Sequence, residues 1–370
     1  GGLVFLLAGA EMLVRGASRL ATLAGISPLV IGLTVVAYGT GAPELAVSLR
    51  AGLYGNSDLA VANVVGSNIF NVLFILGVCA AVTPLRVRRQ LVRLDVPIMI
   101  AVSILLLAIA SDGRLGRGSG GVLLAGLAAY TAWSIRQDRR AGSDACHVVQ
   151  TQTSMPGAQT VRPGGIARQG LMAAAGLALL VLGSRWLVDG TVALARSIGV
   201  SDIVIGLTLI AAGTSLPEVA TSVVAACRGE RDIAIGNVVG SNIFNILGII
   251  GISAVLSPGG LVVAPSLLNF DMVVMVAVAI VCLPVFFTGY AIARWEGWLL
   301  IGAYAAYAAY LLMDATGHDA LPMFSKTLLY FVLPLIALTL ATLSIQKLRK
   351  AGRAAAARPN AAERGPAALQ

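Results

Sequence analysis

Two glutamates, Glu44 and Glu218, each stand in the middle of a long apolar run. An ionisable side chain in such a place is costly in lipid, so it marks a pathway, a partner or an ion. Each follows a proline, in Gly39-Thr40-Gly41-Ala42-Pro43-Glu44 and in Gly213-Thr214-Ser215-Leu216-Pro217-Glu218. A proline inside a helix removes one N–H and clashes with the carbonyl four residues back, here that of Gly39 or Gly213. Carbonyls freed at membrane depth are tolerated only where they face a cavity or a ligand. Each motif is therefore expected to offer hard oxygens within one turn: a carboxylate, the hydroxyl of Thr40 or Thr214, and loosened carbonyls.

A second element, Asn63-Val64-Val65-Gly66-Ser67-Asn68-Ile69-Phe70-Asn71, recurs as Asn237 to Asn245. Ser67 and Asn71 are four residues apart and share a helix face, as do Ser241 and Asn245. Asparagine in an apolar span needs partners. Set opposite the glutamates, these groups complete a ring of oxygens. Hard oxygens suit Ca²⁺, Na⁺ or Mg²⁺ rather than soft metals. Two carboxylates neutralise one Ca²⁺, and the same oxygens can equally hold several Na⁺. Close helix packing would account for Gly66, Ser67, Gly240 and Ser241, but not for two glutamates.

Both elements belong to an internal repeat. Residues 31–78 and 205–252 align without gaps, with about 27 of 48 positions identical and a constant offset of 174. Five spans separate equivalent elements. An odd number reverses orientation, so the halves cross the membrane in opposite senses, the design of many secondary transporters.

The elements that must carry these residues follow from composition. Of 370 residues, 58% are hydrophobic and only 12% charged, about half the charge of a soluble domain. At roughly 20 residues per span the chain holds about ten spans. Continuous apolar runs, without alternation, exclude a β-barrel. Spans are expected at 1–20, 28–51, 58–82, 96–111, 119–136, 169–190, 202–226, 233–256, 270–288 and 295–313. An eleventh follows at 325–345 and a disordered basic tail at 346–370. The expected fold is all-α: a polytopic membrane protein of two inverted five-helix repeats, 1–136 and 169–313, joined by a flexible linker at 137–168, plus an extra C-terminal helix.

The net charge of +9 comes from basic residues flanking apolar runs, so it reports topology and not nucleic acid. With the amino terminus outside, 20 Lys and Arg fall on the inner side and 6 on the outer. The positive-inside rule thus places the linker and tail in the cytoplasm of a cell (inner) membrane, multi-pass protein. The chain begins Gly1-Gly2 inside an apolar run, so the first span reads as incomplete at its start, and no cleavable signal peptide is expected. The four cysteines form no CxxC and the two histidines lie far apart. No nucleophile constellation or nucleotide loop accompanies the oxygens, so the chain is read as no enzyme, with no cofactor beyond its transported ions.

With two specific motifs each occurring twice at one spacing, the chain resembles the sodium/calcium exchanger family of the calcium:cation antiporter superfamily, in its bacterial ten-helix form, from residue 1 to about 313. The resemblance implies Na⁺-driven Ca²⁺ transport by alternating access, with Ca²⁺, Na⁺ and the lipid bilayer as partners. It implies that Glu44 and Glu218 are shared by both ions. Thr40 and Thr214 would add ligands, with the backbone carbonyls of Ala37 and Ala211. Ser67, Asn71, Ser241, Asn245 and Ser215 would complete flanking sodium sites, and the first and sixth helices would slide past the rest.

Two positions depart from the pattern: Gly41 stands where the first repeat often has Ser, and Asn245 where some relatives carry Asp. The first puts the Na⁺ stoichiometry in question, and the second removes a titratable group. Proton-coupled and K⁺-assisted antiporters of the same architecture, and a cation channel, are the alternative readings. Glu11 and Arg15, and Arg185 and Asp189, are each four apart and are expected to form intrahelical or interfacial ion pairs.

Overall fold

A computed structural model describes residues 1–150, 164–198, 211–287, 290–318 and 320–327. The described chain is helical apart from four two-residue strands. Its elements are α1 (Gly2–Ala24), α2 (Pro28–Thr40), α3 (Ala42–Leu53), α4 (Ser57–Val82), α5 (Leu91–Ile109), α6 (Arg117–Gln150) and α7 (Gly164–Ser197). They continue with α8 (Ala211–Gly213), α9 (Leu216–Cys227), α10 (Arg231–Leu256), α11 (Leu267–Phe287), α12 (Arg294–Thr316) and α13 (Leu321–Thr327). Among the described residues six helices are long and apolar enough to cross a membrane, and the bent pair α2–α3 makes a seventh. α1 falls short of that standard because Glu11, Arg15 and Arg19 punctuate it. The start of the expected seventh span, most of the eleventh segment, and the tail lie outside the described residues.

The linker expectation is corrected at both ends. α6 continues to Gln150 and α7 begins at Gly164, so only 151–163 of that stretch lies outside the described residues. Residues 137–150 contain no proline, and nothing in them interrupts the helix already under way. Asp138 is part of the fold: its Oδ2 accepts from the backbone N–H of Ser27 at 2.6 Å, at the residue that caps α2.

The two helices bearing the Asn-rich motifs form the centre. The apolar stretch of α4 is 78% buried and that of α10 89%, against 6% for α12. Only the outer helices therefore have faces left over for lipid. Contacts recur in exchanged pairs between the halves. β1 (Leu85–Arg86) pairs antiparallel with β4 (Ala291–Ile292), and β2 (Arg114–Leu115) with β3 (Leu261–Val262). Within each half one contact recurs: the Tyr130 hydroxyl donates to Asp95 at 3.1 Å and the Tyr307 hydroxyl to Asp271 at 2.7 Å. Two copies of one unit facing each other produce the exchanged strand pairs and this repeated bond.

α1 and α7 run antiparallel in close contact. A Cβ on Gly176 would lie 2.6 Å from Leu13 N and 2.7 Å from Gly9 O, and one on Gly183 2.6 Å from Leu6 N. Small residues let backbones approach where lipid supplies no hydrophobic drive. Gly176→Val is expected to separate these helices and to destabilise the protein by about 2 kcal/mol, as overpacking does. A thermal unfolding scan in detergent, with Leu177→Val as the neighbouring control, measures this.

Candidate cation site

The prolines do not kink a continuous helix. α2 stops at Gly41 and α3 starts at Ala42 with Pro43 in its first turn, where a missing N–H costs nothing. The axes differ by 47°. Ser215 and Pro217 open α9 in the same way. The sequence expectation of a freed Gly213 carbonyl is also corrected: that oxygen accepts from the Ser184 hydroxyl of α7 at 2.7 Å. The Ala37 carbonyl accepts from Gly41 N–H at 3.0 Å and from the Thr40 hydroxyl at 3.4 Å. Ala211 begins α8.

The break sets Glu44 and Glu218 in the first turns of α3 and α9. Both are buried, at 1% and 2% exposure. Hydroxyls reach across the halves. The Ser215 hydroxyl donates to Glu44 Oε1 at 2.8 Å and approaches Ser67 Oγ at 3.3 Å. The Thr40 hydroxyl also donates to Asn237 Oδ1 at 3.2 Å. Asn237 and Asn63 in turn each donate to a serine hydroxyl at 2.9 Å, Ser222 and Ser48 respectively.

At position 41 no hydroxyl is present, and the space is occupied. A Cβ there would lie 3.1 Å from Phe244 Cδ1, whose ring stacks on Tyr38 at 4.5 Å. The two halves of the site therefore differ: Ser215 supplies Glu44 with a hydroxyl, and its counterpart Gly41 supplies none.

Asn71 and Asn245 sit where their helices change from α to π winding, at Asn71–Ile75 and Asn245–Ile250. Such turns gather at functional sites because they release the regular hydrogen-bond ladder. Five of the predicted side chains carry a buried oxygen without a hydrogen-bond partner: Glu44 Oε2, Glu218 Oε2, Asn71 Oδ1, Asn245 Oδ1 and Ser241 Oγ. Buried polar atoms are normally paired. Five acceptor-capable oxygens from both halves, grouped on α3, α4, α9 and α10, have the chemistry of a hard-cation cage. A cavity of about 280 Å³, lined in part by Arg50, Arg185, Asp189 and Gly213, reaches Pro43 and Thr214 beside the glutamates.

Sequence reasoning missed Asn68 and Asn242, although both lie in the quoted motif. The Asn68 amide donates to Met275 Sδ at 3.6 Å and that of Asn242 to Met99 Sδ at 3.5 Å. Their oxygens accept from Asn245 and Asn71, at 3.0 and 3.1 Å. The only signal was their repetition at the common offset. The ion pairs are only partly as expected. Glu11 meets Arg15 at 2.6 Å within α1 and is also bridged by Arg228 from the end of α9.

The sequence profile of the family described as "Sodium/calcium exchanger protein" matches residues 1–136 and 169–313. The sodium/calcium exchanger MaX1 of Methanosarcina acetivorans is 34% identical over 84% of this chain and 96% of its own. The putative antiporter CaxA of Alkalimonas amylolytica is 39% identical over 70% of this chain and 79% of its own. Among solved structures, the sodium-calcium exchanger NCX_Mj soaked with 10 mM Na⁺ and zero Ca²⁺ superposes with a TM-score of 0.71. It is 28% identical, over 83% of this chain and 95% of that one.

Proposed function

We propose, from the premise that this chain belongs to the sodium/calcium exchanger protein family, that it exchanges Na⁺ for Ca²⁺ across a cell membrane at one site centred on Glu44 and Glu218. The observation that carries this is the set of five buried, unpartnered oxygens contributed by both repeats. Two carboxylates balance a divalent cation, and the amide and hydroxyl oxygens around them suit Na⁺ in flanking positions. Ca²⁺ and Na⁺ compete for the carboxylates, so each crossing carries one or the other. Without a cation, two like charges close together in a dry site repel and lack solvent. Moving that bare site past the apolar barrier is unfavourable, and this couples the two fluxes. The glycine-lined pair α1–α7 is the moving part in this reading, and the paired repeats hold the ligands still.

The test is radioactive calcium uptake into proteoliposomes preloaded with Na⁺, against choline and K⁺ controls and an imposed pH gradient. Uptake is expected only with internal Na⁺. Uptake driven by the pH gradient and indifferent to Na⁺ would assign proton coupling instead, a requirement for K⁺ a K⁺-assisted exchanger, and conductance without countertransport a channel.

Ser215→Ala provides a finer check. It removes the one hydroxyl that touches both Glu44 and Ser67. Hydrogen bonds to charged groups contribute about 1.5–3 kcal/mol. Half-saturating Na⁺ is expected to rise about tenfold, with a smaller change for Ca²⁺, whose charge is met mainly by the carboxylates. Equal shifts for both ions would remove Ser215 from a sodium-specific role.

A further inference from the structure

We infer that Asn68 and Asn242 are positioning residues: each fixes which way the amide of a cation-site asparagine on the opposite repeat faces, so that its oxygen and not its nitrogen is presented to the ion. This rests on the cation site proposed above. An asparagine amide is nearly symmetric in shape, and a half-turn exchanges a cation ligand for a cation-repelling donor. Something must choose, and two chains of hydrogen bonds do so.

One chain starts at Met275. A thioether sulfur accepts and never donates, so the group facing it at 3.6 Å is the Asn68 nitrogen, which also donates to the Asn242 backbone carbonyl at 3.3 Å. The Asn68 oxygen is thereby turned the other way, where it accepts from Asn245 Nδ2 at 3.0 Å. With its nitrogen held, Asn245 is left with a buried oxygen that has no partner. The other chain runs the same way from Met99 through Asn242 to Asn71, at 3.5 and 3.1 Å, and again ends on an unpartnered oxygen. Each chain crosses from one half of the molecule to the other. Ordinary structural satisfaction of a buried asparagine would not require the chain to begin at an atom that can only accept and end at a buried oxygen with no partner.

The test compares half-saturating Na⁺ for Ca²⁺ uptake in four proteins: parent, Asn68→Leu, Asn245→Asp and the double variant. Leucine keeps the volume of Asn68 but offers Asn245 no acceptor, so the Asn245 amide is free to turn. Aspartate at 245 presents oxygen in either orientation and has nothing to be oriented. Asn68→Leu is expected to raise half-saturating Na⁺ about tenfold in the parent and less than about twofold in the Asn245→Asp background, because only a buried amide loses its partner in the first case. A similar fold-change in both backgrounds, or none in the parent, overturns the inference. If Asn68→Leu is not recovered folded, Met275→Leu replaces it; it is expected to produce a shift of about threefold in the same direction that also disappears in Asn245→Asp, and its persistence there overturns the inference. A parent that does not respond to Na⁺ at all refutes the proposed coupling ion. The amide inference is then judged on half-saturating Ca²⁺ in the same four proteins by the same criterion.

Discussion

Glu44→Gln and Glu218→Gln are each expected to abolish Na⁺-driven Ca²⁺ uptake, by at least about a hundredfold, since removing one partner of a buried charge set costs roughly 3–5 kcal/mol. The side chains are nearly isosteric and fully enclosed, so shape is retained while the charge is lost and one acceptor oxygen becomes a donor. One remaining carboxylate no longer balances a divalent ion, and an amide brings a donor into a ring of acceptors. The same variants make a second, opposite statement about stability. In the absence of cations the parent holds two repelling carboxylates, and glutamine at either position relieves that repulsion. The variants are thus expected to melt no lower than the parent in chelator, while losing the rise in melting temperature that Ca²⁺ confers on the parent by binding the native state. A variant still stabilised by Ca²⁺ to the parental extent would place the divalent site elsewhere, whatever its transport rate.

Gly240→Ala is expected to be nearly as damaging, though it adds one methyl group and touches no charge. The new Cβ would lie 2.4 Å from the Leu33 carbonyl oxygen and 2.6 Å from Leu33 Cα. Those are backbone atoms of α2, so no side chain can rotate away. The contact between α2 and α10 is lined by Gly32, Gly236 and Gly240, and α10 must retreat by about 1 Å to restore normal separation. The next residue is Ser241, whose oxygen is one of the five unpartnered atoms. Overpacking of this kind costs about 1–3 kcal/mol, and a ligand displaced by that distance no longer closes the cage. The melting temperature is expected to fall and the maximal uptake rate to drop about tenfold or more. A variant with parental transport would mean that α2 and α10 are not held at the separation described.

Much of this was legible in the residues themselves. The 174-residue offset aligned Glu44 with Glu218 and Asn71 with Asn245, and a repeat of that length is a repeat of structure. Burial of the glutamates followed from the apolar runs around them. The run of helices followed likewise, because lipid leaves the backbone few other ways to satisfy its hydrogen bonds. The end of α6 was misplaced because a polar composition reads as a linker, whereas a helix already propagating needs a breaker to stop it. The prolines were read as kinks because sequence does not distinguish a proline inside a helix from one opening a new helix; the φ and ψ of the residue that precedes the new helix, near −73° and 4° at Gly41, do.

The repeat, the depth of the two carboxylates and the class of cation they suit are local or periodic properties, and a reader of the sequence has them in hand. Which oxygens remain open to a cation is not such a property. It depends on partners in the other half of the chain: Ser215 on Glu44, Asn237 beneath Thr40, Asn68 and Asn242 against Asn245 and Asn71. Each of those choices is made by two helices arriving at the same place, and a hydrogen bond between groups far apart in sequence exists only once packing has brought them within about 3 Å. The absence of a hydroxyl at Gly41 opposite Ser215 is written in the sequence, but what stands there instead, the ring of Phe244, is decided by packing.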